Sequence, residues 1–180
     1  MLKTWELAKS EQIFECNVFN ILHKTYKKPE GKGDASAFII DCPDWANVIG
    51  IDDKNNILLI RQFRYGTDTI ELEIPGGILE PGEIPKDGAI RELKEETGYD
   101  VKEIKQIGYV SANPAIMNNN CYTFLAKLSR KGTVNFDPDE IIEMEFATPK
   151  QVKKHLVENK ITNAYVVVAF LWFYLYNNFK

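Results

Sequence analysis

Apolar positions along the chain first alternate in short runs and later recur at helical spacing. Residues 13–19 (IFECNVF) alternate imperfectly and predict a strand. A charged turn with Pro29, Gly31 and Gly33 follows, then a β-rich run over 37–40 and a break at Pro43-Asp44. Residues 46–51 and 57–64 flank the polar run DDKNN, the composition of a hairpin loop. A short strand over 70–74 leads into a glycine-rich loop at 75–82. A helix is predicted from about Pro85 to Thr97, because proline suits a first helical turn and Gly98 suits its end. Strands near 101–110, 121–128 and 141–147 come next, then helices near 149–158 and 162–177. Strands and helices mixed without strict βαβ alternation predict an α+β fold, a mixed sheet with helices packed on it. The pattern divides into an N-terminal β extension, 1–42, and a main domain, 43–180.

Residues 164–176 (AYVVVAFLWFYLY) are almost wholly apolar, but 13 residues fall short of the roughly 20 that a membrane span needs. They predict a buried terminal helix. A chain of 180 residues with 44% hydrophobic and 27% charged positions fits one domain with an extension, which excludes collagen-like and disordered classes. A net charge of −4 argues against a nucleic-acid coat, which needs a basic surface. It leaves phosphorylated small molecules open, since a divalent metal can supply local positive charge. Cys16, Cys42 and Cys121 form no CxxC pair and an odd count, and the start MLKTWE has no apolar signal core. A reducing cytoplasm is the expected location, with neither nucleic acid nor membrane as partner. His23 and His155 are isolated, and packing roles are expected for both.

The chemistry concentrates on the central helix. Glu92 lies three residues before Glu95 and four before Glu96, so the three carboxylates share one side. Like charges at that spacing cost about 0.2–0.5 kcal/mol per pair. A hard divalent cation turns the repulsion into attraction, and Gly76-Gly77 permits close backbone approach with a carbonyl turned to the same ion. A solvated acidic face is the plainer reading of three glutamates alone; the glycine loop directly before the helix shifts the weight toward a metal held against a phosphate chain.

Gly77, Glu83, Arg91, Glu92, Leu93, Glu95, Glu96, Gly98 and Tyr99 fit G-x5-E-x7-R-E-U-x-E-E-x-G-U, where U is a bulky apolar residue. The chain therefore resembles the Nudix family. The resemblance implies a Nudix α/β/α sandwich with a mixed sheet, plus the N-terminal β extension, and hydrolysis of a nucleoside diphosphate linked to another group. It implies Mg²⁺, with Mn²⁺ as a possible substitute, held by Glu92, Glu96 and the Gly76 carbonyl. Glu95 is then a further ligand or a water-mediated catalytic contact. Glu83 and Arg91 resemble the pair that fixes loop and helix.

Wider similarity, in the runs DWANVI, RQFRYG and ELEIPGG and in Pro114, 15 residues beyond Tyr99, points to the ADP-ribose and nucleoside diphosphate sugar pyrophosphatase branch. Arg61, Arg64, Pro114 and Asn119 are the substrate-binding candidates, with a surface salt bridge as the plain alternative for the arginines. The branch carries arginine after the Met-Asn-Asn run where this chain has Asn120, which leaves the exact substrate open. Glu140 aligns with the branch's loop glutamate and is the expected general base, with Glu143 and Glu145 in reserve and a solvated turn as the alternative. The N-terminal extension resembles the segment through which relatives form homodimers. The resemblance implies base stacking by aromatics of this region (Trp5, Phe14, Phe19, Tyr26, Trp45), with core or interface packing as the plainer role of any single one. Alternatives are a dinucleotide such as NADH or a diadenosine polyphosphate as substrate, or a nucleotide-sensing domain without turnover.

Overall fold

Strand-forming segments dominate the first two thirds of the computed structural model, which describes residues 2–133 and 141–178. The chain divides into two compact units, Met1–Asp44 with Ser111–Asn120 and Trp45–Val110 with Cys121–Lys180.

In the first unit β1 (Glu6–Glu15), β2 (Asn20–Lys27) and β3 (Asp34–Asp41) form an antiparallel sheet in that order. The alternation over 13–19 does not make one strand. Cys16 N–H donates to the Phe19 carbonyl at 3.1 Å, so the run breaks into a turn between β1 and β2, where polar Asn17 sits. Strand β1 begins seven residues before the predicted one. Among the described residues it pairs with β2 alone, and every one of its residues is exposed. The 111–120 segment joins this unit: Ile40 N–H donates to Ile116 O at 2.8 Å, and Asn118 Nδ2 to Asp41 Oδ1.

The second unit is built on a seven-stranded mixed sheet. Its strands are β4 (Trp45–Ile51), β5 (Ile57–Arg64), β6 (Thr69–Glu73), β7 (Gly76–Ile78), β8 (Tyr99–Ser111), β9 (Asn120–Lys131) and β10 (Glu143–Ala147). Strand β4 runs parallel to β9 and antiparallel to β5 and β7. The predicted hairpin at 52–56 is closed by Asp52, whose Oδ1 accepts from the N–H of Lys54 and Asn56 at 2.9 and 2.7 Å.

Period-two alternation sorts β4 and β5 onto two cores. Ala46, Val48 and Leu58 face α1 (Pro85–Thr97) through Ala89 and Leu93. Ile49, Ile57 and Leu59 face α2 (Pro149–Val157) and α3 (Ala164–Asn178) through Val152, Val166, Ala169, Phe170 and Phe173. Helices therefore cover both sheet faces. Thr148 and Gln151 cap α2 reciprocally, each side chain taking the other's backbone N–H. The terminal apolar run is a helix buried along one face only. Val166, Ala169, Phe170 and Phe173 point inward, while Val167, Leu171 and Leu175 stay exposed. No helix among the described residues is long and apolar enough to cross a membrane. Cys121 is buried in β9, as a packed strand residue should be.

Candidate functional site

Helix α1 carries the acidic set because its two ends are fixed by residues with suitable backbone preferences. Pro85 opens it where a missing N–H costs nothing, and Gly98 closes it at φ 73° with its N–H on Lys94 O at 2.8 Å. Ala89, Leu93, Glu96 and Thr97 form its buried stripe. Fully burying Leu93 contributes about 2 kcal/mol, which anchors the helix to the sheet and sets where Glu92, Glu95 and Glu96 lie.

The first residues of the predicted glycine loop are strand β7, laid against β4 in the register Asn47↔Gly76 and Ala46↔Gly77. Sheet pairing overrides the weak strand preference of glycine here. This pairing presses the backbone onto the carboxylates. Gly76 N–H donates to buried Glu96 Oε2 at 3.0 Å. A Cβ on Gly77 would stand 2.5 Å from the Glu92 carboxyl carbon, so any larger residue must displace that carboxylate.

Arg91 is the hub of the cluster. Its Nε and Nη2 donate to the two oxygens of Glu83 at 2.9 and 3.0 Å, a bidentate pair. Its Nη1 donates to Glu92 Oε1 at 2.8 Å and Glu95 Oε2 at 3.0 Å, and Nη2 also reaches Ile78 O at 3.1 Å. Hydrogen bonding to Glu83, then to Glu92 and Glu95, raises the Arg91 pKa further above its ordinary value. The same Arg91 bonds, with the Glu80 N–H on Glu83 Oε2 at 2.9 Å, hold the Glu83 carboxyl below the usual range. One guanidinium thus serves as cross-link between loop and helix.

Three carboxylates, Glu83, Glu92 and Glu95, share the Arg91 guanidinium, and Glu96 adds a fourth on the same helix side, a local excess of negative charge in a partly desolvated place. Oxygen donors without thiolate or imidazole are the set a hard divalent ion takes. Among the described residues, no three His, Cys, Asp or Glu side chains are gathered as a metal cage. As placed, the Glu92 and Glu95 carboxylates converge on Arg91. Glu92, Glu95, Glu96 and the Gly76 backbone fit a Mg²⁺-type ion by donor chemistry.

The two arginines on β5 are held differently. Arg61 pairs with Glu145 at 3.2 Å, both about 39% exposed, which is the surface salt bridge anticipated as its plainer role. Arg64 donates Nε and Nη2 to buried Glu73 at 3.1 and 2.6 Å and lies 5.9 Å over the Trp45 ring. It lines a cavity of about 460 Å³ with Trp45, Thr67, Glu71, Glu73 and Tyr165. Glu71 accepts from Thr162 Oγ1 at 2.7 Å and from Thr69 Oγ1 at 2.9 Å, bonds that pull its pKa down. Sequence reasoning quoted Glu71 and Glu73 without giving them a role. A glutamate flanked directly by Leu72 and Ile74 at the end of β6 was the available signal for Glu73.

Pro114 and Asn119 belong to the first unit. Pro114 is exposed beside the turn in which Asn113 O accepts from Ile116 and Met117 N–H, and Asn119 is buried with its Nδ2 on Pro43 O at 3.2 Å. Glu140 lies outside the described residues. Of its substitutes, Glu143 is exposed and Glu145 is engaged by Arg61. Trp5 and Phe14 are half exposed, Phe14 meeting Phe19 at 6.1 Å. Trp45 meets Tyr165 at 6.2 Å in the second unit.

A family model described as NUDIX domain matches residues 44–167. The chain is 30% identical over 163 residues to the methanol dehydrogenase activator of Bacillus methanolicus, covering 89% of this chain and 88% of that protein. It is 33% identical over 154 residues to the ADP-ribose pyrophosphatase of Bacillus subtilis (strain 168), covering 83% and 81%. A crystal structure of ADP compounds hydrolase shares the fold with a TM-score of 0.85 at 19% identity, over 98% of this chain and 95% of that one.

Proposed function

The chain belongs to the Nudix family and is an ADP-ribose pyrophosphatase-like hydrolase, and from that premise we propose that it cleaves the diphosphate of ADP-ribose or a related nucleoside diphosphate sugar. The products are a nucleoside monophosphate and a sugar phosphate. The observation that carries this reading is the meeting of β7 with α1, where Gly76 and Gly77 lie on the carboxylates of Glu96 and Glu92.

Glu92, Glu95, Glu96 and the Gly76 carbonyl would hold Mg²⁺, which supplies charge neutralisation on the phosphoryl oxygens and a water of lowered pKa. Arg91 keeps Glu92 and Glu95 in one place, the Gly76 N–H holds Glu96, and Glu83 keeps Arg91. Arg64 binds the diphosphate through a guanidinium whose orientation is fixed, with Arg61 farther along the same strand. Pro114 and Asn119 shape the loop expected to meet the substrate. Glu140, assigned from the sequence alone, accepts the proton of the attacking water.

We place the protein in the cytoplasm, a reading supported by its three free cysteines. We assign it a homodimeric state through the N-terminal extension. Support comes from β1 being an edge strand among the described residues and from the exposed Trp5, Leu7, Ile13 and Phe14. The test of function is direct. Incubation with ADP-ribose and Mg²⁺ should release AMP and ribose 5-phosphate. Binding without product would make the protein a nucleotide sensor, and release from NADH or a diadenosine polyphosphate alone would move the substrate class.

A further inference from the structure

Glu73, the last residue of β6, is a buried glutamate. It sits on β6 with a side chain 2% exposed, between buried Leu72 and Ile74. Burying a carboxylate costs several kcal/mol unless it is paired and hydrogen-bonded. Here both oxygens are engaged: Oε1 accepts from Arg64 Nε at 3.1 Å and Asn163 Nδ2 at 2.9 Å, and Oε2 from Arg64 Nη2 at 2.6 Å. The fork-on-fork pairing fixes the guanidinium plane as well as its place, which a single bond would not. The ring of Trp45 lies against the same guanidinium at 5.9 Å, so Arg64 is set from its edge and from one face.

Asn163 ties this pair to α3. Its Oδ1 accepts from Tyr165 N–H at 2.9 Å and its carbonyl from Val167 N–H at 2.9 Å, which makes Asn163 the helix N-cap. Its Nδ2 is left for Glu73. One buried carboxylate therefore joins strand β6, the end of β5 and the start of α3 on the rim of the cavity that Arg64 and Tyr165 line.

We propose that Glu73 is a positioning residue: it holds the Arg64 guanidinium flat and turned to the cavity so that it meets a diphosphate without first being ordered. This rests on the reading above that Arg64 binds the substrate's phosphates. Ordering a long arginine side chain at the moment of binding costs conformational entropy. Glu73 meets that cost at folding, so its loss should appear in substrate binding more than in the chemical step.

The full-length protein tests this with Glu73→Gln, which keeps shape and one acceptor oxygen. KM for ADP-ribose should rise about tenfold while kcat stays within about twofold. Placed in an Arg64→Ala background, Glu73→Gln should add almost nothing to KM, because the two act as one unit. Asn163→Ala removes the cap and the third bond to Glu73; it should lower Tm and leave KM within about twofold. In the free protein, the Arg64 Nε–H resonance should be sharp and slow to exchange in the wild type, and averaged with the surface arginines in Glu73→Gln. An unchanged KM together with an unchanged Arg64 resonance overturns the proposal, as does full additivity with Arg64→Ala. If wild-type protein neither binds nor cleaves ADP-ribose, the proposed function fails, and Glu73's service to a diphosphate fails with it. The nitrogen resonance then still decides whether Glu73 holds the guanidinium. Should Glu73→Gln fail to fold, Arg64→Lys stands in: it keeps the charge, loses the fork and should reproduce the rise in KM.

Discussion

Arg91 makes five hydrogen bonds from one guanidinium, and its Glu83 partner shows how a single carboxyl links the site to stability. The folded pKa of Glu83 is depressed below the ordinary 4.5. Its contribution is complete above about pH 4.5 and is lost as pH falls through the lowered folded value. Glu83→Gln should cost about 2 kcal/mol at neutral pH, and urea melts should show a shallower loss of stability below pH 4.5 than the wild type. Glu92→Gln and Glu96→Gln change one oxygen each, yet should lower kcat/KM by at least about a hundredfold, with weaker Mg²⁺ binding by calorimetry. Glu140→Gln should lower kcat and leave that Mg²⁺ binding unchanged, which separates a base from a ligand.

Between elements, the decisive contact is β7 on α1. Gly77 takes a side chain only if the Glu92 carboxylate moves, because β4 fixes the strand and Glu92 lies directly over the glycine. Gly77→Ala should push the Glu92 carboxylate aside, cutting kcat/KM at least about tenfold with a Tm only modestly lowered. Gly98→Ala acts at the other end of the helix. It forces an L side chain into the left-handed region and should cost about 1 kcal/mol, read as a lower denaturation midpoint with kcat/KM nearly unchanged.

For the whole molecule, the three-stranded sheet raises the question of assembly. An edge strand with all residues exposed, carrying Leu7 and Ile13 at about half their accessible surface, is poorly suited to a lone chain in water. Replacing both by Glu in the full chain should convert a dimer to a monomer in light scattering. A wild type that is already monomeric at micromolar concentration would overturn the dimeric assignment. The strand pattern made most of the second unit legible. The two runs 46–51 and 57–64 about the polar DDKNN loop, and the proline-to-glycine limits of α1, match β4, β5 and the helix closely, because each is a local signal. The turn at Cys16 and strand β7 were not legible. Pairing across the sheet fixed both, and neither carries a local marker strong enough to compete.

The amino-acid order alone determined the acidic side of α1, its start and stop, and the family those residues announce, since helical periodicity turns spacing into a shared face without help from distant parts of the chain. Tertiary structure decided which of those carboxylates meet Arg91, which meet the β7 backbone, and that Arg64 is gripped by Glu73 while Arg61 lies in a surface pair. Those outcomes depend on segments up to 84 residues apart, as in Arg61 with Glu145, brought together by burial of apolar surface on the two sheet faces. Hydrophobic burial carries no directional code that spacing could reveal.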